Sequence, residues 1–356
     1  MIKKFTIMLC TLLCSMNIFA EPFKQIIFFG DSLSDNGNLY QVLKIVPKSP
    51  PYFNGRFSNG MTWAEHVGKH YYDKYFIDYQ NYSYGGATAI FHNPLTDNFI
   101  APITLEGEIN SYFLHALFTD KTKVLYVIWM GANDYLYDQE PNINALTDSV
   151  VNKTSWAITT LMQQGAREFL ILNLPDLAVT PYARQHGNGE RLHIISQMHN
   201  QKLDAAIQNL INKYPNAQFV TVNIYNIFND LLANPEKYNQ QYGQHIKDTI
   251  DACWKGTVFQ NKLAADKINL TAELRSAFAD KHTMGKNFDT QAISNYILSS
   301  PDLSQAYLLG KAYQAGMVPC DNASEHVFWD DLHPTAVLHQ MLGSMVVESL
   351  ENAGLG

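Results

Sequence analysis

The sequence predicts an α/β fold, a doubly wound three-layer α/β/α sandwich with a mostly parallel sheet, carrying a largely helical insertion. Two observations predict it. Short, nearly continuous apolar runs recur along the chain and mostly stop at polar turns, as strands buried on both faces do. Longer stretches of helical periodicity separate them. Residues 24–29 (KQIIFF) form the first run and stop at Gly30-Asp31. A helical pattern follows at 62–71 and another at 103–118, before the second run, 124–130 (VLYVIWM), which stops at Gly131. After a helical stretch at 143–164 come a third run at 169–174, stopping at Pro175-Asp176, a helix at 194–213 and a fourth run at 218–224. The last helix, 336–350, starts just after Pro334. Residues from 226 to about 325 break this rhythm, being rich in Asn, Gln, Tyr and Lys, and are expected to form an insertion within residues 21–356. In doubly wound sheets ligands bind beyond the carboxyl ends of the strands, so those turns are where chemistry is expected.

Composition narrows the class of function. The chain has 356 residues, 46% of them hydrophobic and 16% charged, too apolar for a disordered chain. A formal charge of −8 argues against nucleic acid as a partner, because neutralising phosphates needs a Lys/Arg surplus. Residues 1–20 read as a secretory signal peptide: Lys3 and Lys4, an uncharged run from Phe5 to Leu13, and Ala20 before Glu21. Past them no apolar run is long enough to span a membrane. A secreted or periplasmic location is expected. Removal of that segment would take Cys10 and Cys14 and leave Cys253 and Cys320, either as one disulfide or as two buried thiols. A bridge would constrain the unfolded chain by roughly 4 kcal/mol on the chain-entropy model.

Four stretches carry candidate chemistry. Ser32, in Gly30-Asp31-Ser32-Leu33, directly follows a strand, where a hydroxyl can be exposed as a nucleophile; a helix-capping serine is equally ordinary there. A serine needs a base, and the base needs a carboxylate to fix its tautomer. Asp330 and His333, in Asp330-Asp331-Leu332-His333-Pro334, can be presented by one loop. An oxyanion needs converging donors. Gly85-Gly86-Ala87-Thr88 offers backbone that a substrate oxygen can approach, and Gly131-Ala132-Asn133-Asp134 offers a carboxamide, though both are also plain turn sequences. The Gly-x-Ser-x-Gly elbow is absent, because residue 34 is Ser.

With these four blocks in this order, the chain resembles the SGNH, or GDSL, family of serine esterases and lipases. The resemblance spans about 23–178 and 327–350. It implies Ser32 as nucleophile, His333 as general base, Asp330 as its orienting partner, and an oxyanion hole made by the Ser32 amide, the Gly86 amide and the Asn133 side chain. Gly86 is implied over Gly85 because the family's donor stands just before Ala87-Thr88. Gly55-Arg56-Phe57-Ser58-Asn59-Gly60, Trp63 and Phe328-Trp329-Asp330 are similar to the secreted bacterial branch of phospholipases A, lysophospholipases A and glycerophospholipid–cholesterol acyltransferases. That likeness implies a phospholipid or lysophospholipid substrate, contact with a membrane surface and a sterol as an acyl acceptor. Some members there carry a disulfide-closed loop whose proteolysis raises activity. An activating protease and a 253–320 lid over the acyl pocket are therefore expected. A carbohydrate O-acetyl esterase would share every catalytic residue, and a catalytically silent binding protein is the remaining alternative. No His-Glu-x-x-His or Cys/His ligand cluster stands out, so neither metal nor cofactor is expected. Activity is expected to fall as pH drops through roughly 6, where the base protonates.

Overall fold

The apolar runs pair, side by side and in the same direction, as the core of the molecule. The computed structural model describes residues 23–92, 103–137, 140–255, 263–279 and 289–355. The signal-peptide expectation, with Cys10 and Cys14, falls outside them. Strands β1 (Gln25–Gly30), β2 (Asp78–Asn81), β3 (Val124–Trp129), β4 (Glu168–Leu172) and β5 (Gln218–Val222) form a parallel sheet in the order β2-β1-β3-β4-β5. In register, Gln25 lies opposite Val124 and Gly30 opposite Trp129. The turns after β1 and β3, which carry Ser32 and Asn133, therefore leave the sheet side by side.

The helices, in order, are α1 (Asn38–Leu43), α2 (Trp63–Tyr75), α3 (Leu105–His115), α4 (Ala132–Tyr137), α5 (Ile143–Gln163), α6 (Pro181–His186) and α7 (Gly189–Lys213). Then come α8 (Ile224–Ala233), α9 (Pro235–Tyr242), α10 (Leu263–Ala279), α11 (Thr290–Ser299), α12 (Pro301–Gln314) and α13 (Ala336–Asn352). Helices α3, α5 and α7 cover one sheet face, packing on Ile27, Phe29, Tyr126, Ile128, Phe169 and Ile171. Helices α2 and α13 cover the other, packing on Ile26, Phe28, Leu125, Val127, Leu170 and Leu172. Burying each such side chain contributes about 1.5–3 kcal/mol. With both faces covered, the alternation fixes the register.

Boundaries moved where capping competed with apolar character. The fourth run ends at Val222, because Asn223 caps α8 by accepting the Asn226 N–H at 3.0 Å, which hands Ile224 to the helix. Strand β2 lacks an apolar run, being a polar edge strand with exposed Asp78 and Gln80. The 226–325 region holds most of α8, then α9 to α12 and strand β6 (Asp248–Ala252). β6 pairs in parallel with β7 (His326–Phe328), directly before Asp330. Cys253 and Cys320 form a disulfide, with Cα atoms 5.1 Å apart. The inserted helices share an apolar cluster with the loop after α1: Ile45, Val46, Tyr52 and Phe57 meet Tyr296, Leu303, Tyr307 and Trp329.

Candidate active site

Ser32 stands in the tight turn that ends β1. Ser34 and Asp35 donate their N–H groups to the Asp31 carbonyl at 3.0 and 2.9 Å, closing one helical turn around it. Gly30 is required by proximity, since a Cβ there would sit 2.8 Å from the Trp129 carbonyl oxygen. Its N–H donates to Glu108 Oε2 of α3 at 3.0 Å.

Two further buried carboxylates, Asp35 and Asp134, staple this corner together. Asp35 accepts from Gly37 (2.7 Å), Asn38 (2.6 Å) and Leu39 (3.2 Å), and reaches across to the Gly85 N–H at 2.8 Å. The Gly85 amide is thereby committed to Asp35. Gly86 lies between that tie and a second one, the bond from Asn133 Nδ2 to the Ala87 carbonyl at 2.8 Å. Gly86 adopts φ +73°, which favours glycine, and a Cβ there would lie 2.5 Å from Tyr296 Oη and 2.8 Å from Leu303. Asp134 holds the far side of the glycine loop, accepting from Ala89 (2.8 Å) and Ile90 (3.1 Å) and facing His92 Nε2 at 3.1 Å.

The opposite end of the chain completes the site. His333 Nε2 lies 2.9 Å from Ser32 Oγ, and its Nδ1 lies 2.9 Å from each Asp330 oxygen. With Nδ1–H facing a carboxylate, Nε2 is the acceptor of the serine proton. Asp330 Oδ1 also accepts the Leu332 and His333 N–H groups at 2.9 and 2.8 Å, and Oδ2 accepts the Tyr52 hydroxyl at 2.7 Å. The Gly55–Gly60 block supports this loop: the Phe57 ring lies 5.1 Å from the His333 ring, Ser58 Oγ donates to the Pro334 carbonyl at 2.8 Å, and Asn59 Oδ1 accepts the Ala336 N–H at 2.7 Å.

Burial alone would lower the His333 pKa, but Asp330, by charge and hydrogen bond, and then Asp302 and Asp31, outweigh it and raise it above 6.5. Asp330 is pulled the other way: burial raises its pKa, while the His333 charge and its hydrogen bonds bring it below the usual carboxylate range. Asp31, beside the serine, is pushed up to about 7, first by burial and further by Asp302.

A cleft opens from Ser32, His333 and Asn133 between α8 and α13. Its walls are apolar, with Ile224, Ile227, Phe228 and Leu231 on one side and Leu338, Leu342 and Met345 on the other. Of the described residues between Cys253 and Cys320, Asp302 alone lines it; α11 and α12 press on Gly86 instead. Helix α8, which directly follows β5, supplies one wall of the cleft.

The structure brings Ser32, Asp330 and His333 into one hydrogen-bonded chain, lines the same cleft with Asn133, and brackets Gly86 between ties to both turns. Sequence reasoning missed Tyr52, Glu108 and Asp302, which arrive from remote segments. It also missed the stapling roles of Asp35, two residues past the first quoted block, and of Asp134, inside another. Among the described residues no helix is long and apolar enough to cross a membrane.

The phosphatidylcholine-sterol acyltransferase of Aeromonas hydrophila is 29% identical over 336 residues, covering 93% of this chain and 91% of that one. The thermolabile hemolysin of Vibrio parahaemolyticus is 21% identical over 336 residues, 93% of this chain and 65% of its own. The secreted effector protein SseJ of Salmonella typhimurium is 28% identical over 204 residues, 56% of this chain and 46% of its own. The family model of the GDSL-like lipases/acylhydrolases matches residues 26–346, and the chain belongs to that family.

Proposed function

We propose that this ester hydrolase is a secreted phospholipase A or lysophospholipase A that works through an acyl-Ser32 intermediate and can pass the acyl group to a sterol. The 2.9 Å approach of His333 Nε2 to Ser32 Oγ carries the reading. Ser32 Oγ attacks the ester carbonyl while its proton moves to Nε2, and the imidazolium is stabilised by Asp330. The oxyanion is received by the Ser32 and Gly86 amides and by the Asn133 carboxamide, whose plane the Ala87 bond fixes. His333 gives its proton to the leaving lyso-lipid oxygen. Water, deprotonated by His333, then releases the fatty acid and restores Ser32; a sterol hydroxyl in its place yields a sterol ester. No step calls on a metal or cofactor.

A lipid substrate is supported by the apolar walls of the cleft beside Ser32 and by the name of the Aeromonas relative. Secretion is supported by the basic, then apolar start of the chain and by the relative named as a secreted effector. A phospholipid panel with and without cholesterol, read for free fatty acid and sterol ester, tests the substrate. Ser32→Ala should reduce both products, and hydrolysis of a short-chain nitrophenyl ester, to background. Near-normal turnover by that variant would overturn the site. Fatty acid without sterol ester would confine the activity to hydrolysis.

A further inference from the structure

We propose that Tyr52 is a positioning residue for the triad carboxylate, an inference that rests on the Ser32–His333–Asp330 reading above. Asp330 Oδ1 is fixed by two amides of its own turn. Oδ2 has no such backbone partner among the described contacts. His333 Nδ1 is equally distant from both oxygens, at 2.9 Å, so the imidazole alone does not choose the rotation of the carboxylate. The two amides on Oδ1 and the Tyr52 hydroxyl, donated to Oδ2 at 2.7 Å from 278 positions away, together do.

The phenol is itself held. The Tyr52 backbone N–H donates to the Lys48 carbonyl at 3.1 Å, and the ring, 2% exposed, stands edge-on to Trp329 and Phe57 with centroids 6.3 Å away in each case. Trp329 precedes Asp330 in the chain, and Phe57 lies against the His333 ring. The apolar cluster around Tyr52 also takes in Tyr296, Leu303 and Tyr307, so the inserted helices brace this hydroxyl from behind. Burial and the Asp330 charge both hold the phenol proton in place, so it remains a donor wherever the base is active. Misplacing a catalytic group by about 1 Å can cost on the order of a hundredfold in rate.

The test is Tyr52→Phe in the full chain, which keeps the ring and removes the donor. His333 is also faced by Asp31 from the turn after β1, Asp302 from α12 and His339 from α13, and the substitution leaves all three in place. We expect kcat to fall about tenfold with KM unchanged. The acid limb of kcat/KM should move to higher pH, because a carboxylate short of one donor attracts the imidazolium more strongly. Unchanged kcat and limb would overturn the proposal, as would a lower melting temperature with a fixed limb, which marks a packing role. If the phenylalanine variant fails to fold, 3-fluorotyrosine placed at residue 52 supplies a stronger donor and should move the limb to lower pH; a stationary limb would overturn the proposal. Ser32→Ala run alongside separates the two ideas: activity surviving there removes the triad reading itself, whereas an inert Ser32→Ala with an unaffected Tyr52→Phe removes Tyr52 alone.

Discussion

Two buried histidines of this molecule have opposite fates. His333 and His199 are both almost fully enclosed, and in both cases burial works against the charged ring. His199, on α7 under the turn after β3, has a neutral neighbour, the Tyr135 hydroxyl 2.7 Å from its Nδ1, and its pKa falls to about 3. His333 has Asp330 at the same range, with Asp302 and Asp31 nearby, and rises above its ordinary value. Enclosure is common to both; of the two, His333 has a carboxylate at hydrogen-bond range, and that outweighs the effect of burial. His339 on α13 behaves like His199, also falling to about 3 through burial.

The largest break in this contrast is Asp330→Asn, which leaves the shape of the pocket but removes the charge. It should lower kcat by about a thousand- to ten-thousandfold, with the His333 pKa moving toward the His199 regime. A loss of less than tenfold would detach Asp330 from the chemistry. Next is the acid limb of the wild-type pH profile. Because the His333 pKa is raised above 6.5, the limb should lie above that value and not near 6, the expectation for an ordinary imidazole base. Asp31, pushed up to about 7, titrates in the same range, so the limb belongs to the pair. Asp31→Asn should move it to lower pH; a limb already centred below 6 in the wild type would contradict the raised base.

The smallest effect is on stability. From pH 6.5 down to about 3 the unfolded chain binds protons that folded His199 and His339 refuse, so these two make the protein lose stability as acid is added. His333 has the opposite sign, its contribution being complete below 6.5 and lost as pH rises through its folded value. Denaturant midpoints measured across pH 3–6.5 should therefore fall less steeply in His199→Gln than in wild type; equal slopes would mean that His199 is charged in the folded protein.

Much of the scaffold was legible because burial on two faces writes continuous apolar runs, as in residues 24–29 and 124–130. The site was legible where its groups share a turn with a strand end, as Ser32 and Asn133 do, or with each other, as Asp330 and His333 do. Tyr52 and Asp302 were not, because a side chain that reaches a site through tertiary packing leaves no spacing to read. Strand β2 and the β6–β7 pair escaped for a related reason: they are short, and β2 and β6 are partly exposed, so pairing and not periodicity defines them.

The short β6–β7 ladder has a mechanical meaning. Beyond it, Cys253 and Trp254 donate their N–H groups to the carbonyls of Phe328 and Trp329, the two residues leading into Asp330. The first arm of the disulfide-closed excursion is thus zipped to the backbone that leads into Asp330, so any strain on that arm reaches the carboxylate facing His333.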